Sequence, residues 1–186
     1  MSISSPRILP AGSHQPYQWL NGKGVASEIA RYPSGQDDFD WKVSIATVVV
    51  DGPFSSMPGL DRVLIPLSEG GLKLLVDGEP LELGRRQVHE FRGETAVEAL
   101  DVSHPTIDLN LIVRRSEVRG SVEVVKATDP TVRSAHHTVV VVLEGHLSLG
   151  EQTLHVLDAV LLGAGESITL SGSGTFAVAT MTPSHE

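Results

Sequence analysis

Every apolar run in this chain is short, rich in β-branched residues, and cut off within a few positions by Gly, Pro, Asp or Asn. A helix needs apolar residues at three- and four-residue spacing over ten or so positions, and that spacing is almost absent. Short runs between turn residues are the pattern of strands. Residues 41–50, 62–66, 72–76, 81–83, 97–102 and 107–113 are candidate strands in the first part of the chain. Residues 122–126, 138–143, 153–156, 159–162, 167–170 and 175–181 follow in the second. This many strands at this spacing predict an all-β sandwich or barrel with little helix. At 186 residues the chain fits one large β domain or two small fused ones.

Two hairpins can be set in register from their turns. Asp77-Gly78 suits a two-residue turn, because both residue types tolerate the positive φ it requires. That turn places Leu74 opposite Leu81, Leu72 opposite Leu83, and Lys73 opposite Glu82. Gly150-Glu151 offers an equivalent turn, which sets Leu147 against Leu154 and His146 against His155. The two hairpins are echoes of one another, with Leu74 and Leu81 mapping onto Leu147 and Leu154. The echo extends from Glu69-Gly70 to Glu144-Gly145 and from Gly93-Glu94 to Gly165-Glu166. An internal duplication is the simplest account of four features repeated in order. On this reading residues 1–115 hold a first barrel with N-terminal strands, 116–135 a connection, and 136–186 a second barrel.

The totals restrict function. Aromatics are only 4% of residues, so the core must be built from Val, Leu, Ile and Ala. A net charge of -9 gives no electrostatic reason to approach nucleic acid or an anionic membrane, although a local cluster of arginines could still bind an anionic metabolite. There is no cysteine, which removes disulfides, thiolate catalysis and thiolate metal sites. No signal peptide and no membrane span are expected, so a cytoplasmic protein is the default.

One block, residues 39–62, joins a strand to the turn chemistry of Asp51-Gly52-Pro53 and closes on the charged pair Asp61-Arg62. With Trp19, Asn21-Gly22, Gly24, Glu28-Ile29-Ala30, Phe91 with Gly93, and Asp108-Leu109-Asn110 leading to Arg114-Arg115, this block resembles the HutD/Ves family of double-cupin proteins. The first 115 residues carry nearly all of these words. The resemblance implies a double-stranded β-helix of the RmlC-like cupin type, two barrels fused as a bicupin. It also implies an association with histidine degradation, in which a small carboxylate is bound and the pathway moderated without catalysis or cofactor; formylglutamate and urocanate are the obvious ligands. Lys23 and Ala26-Ser27 depart from the family pattern, so specificity at that loop can differ.

The candidate site residues follow from chemistry and from this resemblance. Arg62 suits anion recognition, since a guanidinium grips a carboxylate through two parallel hydrogen bonds; an ion pair with Asp61 is the alternative. Asp108, Asn110 and Arg114 form a polar stripe on one face of their strand, facing solvent or lining a wet cavity. Ser44 and Trp41 point to opposite faces, so one can reach a pocket while the other packs in the core. Asn21 could help close the pocket. The pairs that cupins use for metal are missing: His136-His137 point apart, and His146 with His155 are only weak metal candidates beside an outward-facing role. A metal-dependent cupin enzyme and a structural interaction module, self-associating as a homo-oligomer through sheet edges, are the rival readings.

Overall fold

The computed structural model describes residues 6–18, 24–35 and 38–185. The regular structure among these residues is strand, apart from one short 3-10 turn at Ala11–Ser13. Among them no helix is long and apolar enough to cross a membrane.

Two six-stranded antiparallel sheets dominate. The first runs Gln15–Gln18, Val25–Tyr32, Trp41–Val48, Thr106–Arg114, Leu60–Pro66 and His89–Arg92 in spatial order. The second runs Arg7–Leu9, Ala159–Leu162, His137–Leu149, Ser171–Pro183 and Val118–Thr128, with Gln152–Leu154 added to His137–Leu149. A four-stranded sheet made of Gly52–Pro53, Val97–Leu100, Leu72–Val76 and Glu79–Leu83 accompanies the first, and the pair Thr131–Arg133 with Ser167–Thr169 accompanies the second. In the first sheet Thr106–Arg114 lies between Trp41–Val48 and Leu60–Pro66; in the second Ser171–Pro183 lies between His137–Leu149 and Val118–Thr128.

Both hairpins form as their turns dictate. Asp77 and Gly78 take φ of 48° and 86°, and Leu74 pairs with Leu81, Lys73 with Glu82 and Leu72 with Leu83. Leu147 pairs with Leu154 across the second turn. The ladder stops there, and His146 instead lies opposite Ser173. The Glu-Gly echo marks the same place in each half. At Glu69-Gly70 the chain breaks between two strands, whereas at Glu144-Gly145 one 13-residue strand bends through a register shift between Val142 and Glu144. Gly145 has φ of 100°, and a Cβ there would stand 2.4 Å from the Ser173 carbonyl oxygen, so only glycine lets the two long strands come this close.

Two expectations about organisation change. Residues 116–135 are no mere connection: Val118–Thr128 is an edge strand of the second sheet, paired along its length with Ser171–Pro183. Its spaced apolar residues, Val122 and Val124 among them, supply the inward face that a strand needs. Arg7–Leu9 also joins the second sheet, through Ala159–Leu162, although it precedes the first.

The faces of the two large sheets explain the core. Trp41, Val43, Ile45, Leu109, Leu111 and Val113 of the first meet Val139, Val141, Leu161, Ala177, Ala179 and Met181 of the second in one shared apolar layer. The opposite face of the second sheet is filled by Val140, Val142, Leu147, Leu162 and Phe176 with their neighbours. The opposite face of the first sheet divides. Val48 and Leu64 join Leu72, Leu74 and Leu83 of the small sheet in a third cluster, and the rest turns polar.

Candidate functional site

Alternation along Trp41–Val48 sends odd residues into the shared layer and Lys42, Ser44 and Ala46 to the other side. Thr106–Arg114 does the same with Asp108, Asn110 and Ile112, and Leu60–Pro66 contributes Leu60 and Arg62. These even residues floor a cavity of about 430 Å³, roofed by Phe54 through Pro58 and flanked by Tyr17 and Phe39. Register orders the floor into rows. Ile112 lies between Lys42 and Arg62, Asn110 between Ser44 and Leu64, and Asp108 between Ala46 and Pro66. Lys42 and Arg62 therefore stand two strand spacings apart, roughly 9.5 Å at the backbone.

Both cations are 8% exposed. Burial pushes each below its ordinary pKa; for Lys42 the nearby Arg31 adds to this while Glu28 opposes it, and for Arg62 Asp108 is the chief opposing charge. The Lys42 ammonium sits between two rings, 4.5 Å from the centre of Tyr17 and 4.9 Å from that of Phe39. The Arg62 guanidinium lies 5.5 Å from Phe54 and 5.0 Å from Phe91, and its Nη1 donates to the Ser55 carbonyl at 3.4 Å. Ring faces orient a cation without neutralising it. Among the described residues no carboxylate lies within ion-pair distance of either, while the neighbouring Arg31 is held by Glu28.

Asp108 is 1% exposed, and burial pushes its carboxyl up to about 7 against the opposing pull of the Asn110 amide and of Arg62. Asn110 Nδ2 donates to Asp108 Oδ2. Among the described residues Asp108 Oδ1, Asn110 Oδ1 and Arg62 Nε are buried without a hydrogen-bond partner. Tyr17 donates its hydroxyl hydrogen to Ser44 Oγ at 3.3 Å. Unpaired buried donors and acceptors at one cavity are rare in a finished core and are expected where a ligand supplies the missing partners.

Of the sequence candidates, the cavity brings together Arg62, Ser44, Asn110 and the Asp108 of the same polar stripe. Asp61 does not join them: neighbours on a strand face opposite ways, and its carboxylate accepts from Arg115 Nε at 2.8 Å. Trp41 lies on the core side, stacked near Tyr32, with its Nε1 donating to His137 Nδ1 at 3.4 Å. Arg114 shares the parity of the stripe but sits beyond the cavity, ion-paired with Asp38. Asn21 lies outside the described residues. His146 and His155 are exposed, and no group of three or more His, Asp or Glu side chains suited to a metal occurs among the described residues. The residue that sequence reasoning missed is Lys42; its shared parity with Ser44 was the available signal.

The HutD family matches residues 11–180, nearly the whole chain. This chain belongs to the HutD family. Protein Ves of Citrobacter koseri is 37% identical over 139 residues, 73% of this chain and 72% of that protein. The structure of HutD from Pseudomonas fluorescens SBW25 superposes with a TM-score of 0.83 at 26% identity, covering 96% of this chain and 99% of that one. A cupin 2 conserved barrel protein from Leptotrichia buccalis, 8% identical, has a TM-score of 0.60 over 89% of this chain and 91% of its own, a likeness of fold alone. HutD proteins are associated with histidine utilization, and the cupin-like all-β fold is common to these neighbours.

Proposed function

We propose that this HutD-family chain is a bicupin whose first half binds a small carboxylate, without catalysis, and so moderates histidine degradation in the cytoplasm. One observation carries the reading: Lys42 and Arg62 share a cavity, buried and held by aromatic faces, with no ion-paired carboxylate among the described residues. Burying an uncompensated cation costs free energy, and a bound anion recovers it. Arg62 grips the carboxylate, Lys42 supplies the second charge, and Ser44 and Asn110 orient the remainder. Formylglutamate and urocanate, acids of the pathway with which the family is associated, are the candidates. Occupancy then changes binding to a partner protein.

Isothermal titration calorimetry with formylglutamate, urocanate and related acids tests the reading. Binding tighter than millimolar is expected for at least one acid, weakened about tenfold or more in Arg62→Ala. No binding below millimolar across the panel, or undiminished binding by that variant, overturns it.

A further inference from the structure

The last strand of the second sheet has one side open. Val118–Thr128 pairs with Ser171–Pro183 and, among the described residues, with no other strand. Bonds at the two ends of this ladder fix which backbone groups it uses. The Ser184 N–H donates to the Glu117 carbonyl at 2.9 Å, and the Asp129 N–H donates to the Gly172 carbonyl at 2.8 Å. Antiparallel ladders bond at alternate residues, and the register between these ends is unbroken. Odd-numbered residues therefore bond toward Ser171–Pro183, while Val118, Gly120, Val122 and Val124 point their N–H and C=O groups out of the sheet. The strand holds neither a proline nor a bulge, devices that ordinarily blunt so long an edge, and its one lysine, Lys126, stands near the end.

We propose that this edge is an interface with a second copy of the chain, joined antiparallel about a two-fold axis at Ser121. The side chains select both partner and register. Val118, Val122 and Val124 turn into the shared layer, whereas Arg119, Ser121 and Glu123 are exposed on the other face. Among the described residues neither charge has an ion-pair partner, and in their own sheet they lie opposite Thr182 and Val178. A two-fold axis at Ser121 sets each Arg119 opposite the Glu123 of the other copy, so two ion pairs flank the axis. The same axis pairs the outward backbone groups of Val118 with those of Val124, and Gly120 with Val122. Neighbouring registers lack this match. Centring on Glu123 opposes two carboxylates, centring on Gly120 opposes Glu117 and Glu123, and centring on Val122 leaves Arg119 facing Val125. No residue of this strand lines the cavity, so the interface stands apart from carboxylate binding.

Sedimentation equilibrium tests this on the full chain. At high micromolar concentration the wild-type protein is expected to show twice the mass of one chain. Arg119→Glu and Glu123→Arg each set like charges opposite one another at both pairs, and each is expected to weaken dimerisation by about tenfold or more. The double variant Arg119→Glu with Glu123→Arg exchanges the charges and is expected to return the affinity to within about threefold of the wild type. Both side chains are exposed, so the far-UV circular dichroism of every variant should match the wild type. A wild-type mass that stays at one chain, or that rises past two, overturns the proposal. A dimer insensitive to both single reversals places the interface elsewhere and overturns it too. Dimerisation lost in the single variants and not restored in the double overturns the register at Ser121.

Discussion

The two large sheets of this molecule put the face turned away from their shared layer to opposite uses. In the second, the face turned away from the shared layer is packed solid with Val140, Val142, Leu162 and Phe176. In the first, the corresponding face of Trp41–Val48 and Thr106–Arg114 carries Lys42, Ser44, Asp108 and Asn110 around an open cavity. The comparison teaches that one sheet can hold its shape by packing on both faces while the other gives up packing on one of them for a polar floor. The sheet tolerates this because Trp41–Val48, Thr106–Arg114 and Leu60–Pro66 keep their other face in the shared apolar layer.

The largest effect that tests the comparison lies in the filled half. Phe176, 1% exposed, anchors that core, and Phe176→Ala is expected to cost about 3–5 kcal/mol by chemical denaturation. A cost near zero would mean that the second half is no better packed than the first. Next comes a pH effect confined to the hollow half. The Asp108 carboxyl is raised by burial to about 7 in the folded state, against an ordinary carboxyl value of 3.8. The folded protein therefore holds a proton that the unfolded chain has released. Its stabilisation is complete below about pH 4 and is lost as pH rises through about 7, by an amount on the order of a few kcal/mol. Asp108→Asn should flatten that part of the pH profile of thermal unfolding; an unchanged slope assigns it to other groups.

A smaller effect has the opposite sign. Lys42→Met replaces a buried cation with an apolar chain of similar length, and is expected to stabilise the free protein by about 1 kcal/mol while weakening carboxylate binding. Calorimetry on the wild type should give one ligand per chain, and two would abolish the contrast between the halves. The smallest change is Tyr17→Phe, which removes the hydroxyl bonded to Ser44 but leaves the ring against Lys42. It should alter stability by less than about 1 kcal/mol, whereas Tyr17→Ala should lower carboxylate affinity more than Tyr17→Phe does.

Turn chemistry and alternation made much of this legible. Asp77-Gly78 set a register that the ladder reproduces pair for pair, and the stripe of Asp108 and Asn110 announced a polar face inside an apolar strand. Parity also held the correction for Asp61, whose neighbour Arg62 necessarily points the other way. What sequence could not supply is burial on both faces at once. A lysine in a strand ordinarily marks the solvent side, and Lys42 is enclosed only because Tyr17 and Phe39, from other segments, close over it. Arg114 continues the stripe but lies past the cavity's end, where Asp38 meets it, a placement that parity alone does not give. The bend at Gly145 likewise depends on the approach of a strand that follows it in sequence by more than twenty residues.

The layer shared by the two large sheets makes the halves one thermodynamic unit. Val43 and Leu111 on one side and Val139 and Ala179 on the other cannot be exposed separately without opening the same contact. Heat should therefore produce a single calorimetric transition, and occupation of the cavity should slow amide exchange in Ser171–Pro183, a strand that lines no part of it. Such protection would make the second half a remote reporter, reading occupancy through the shared layer alone.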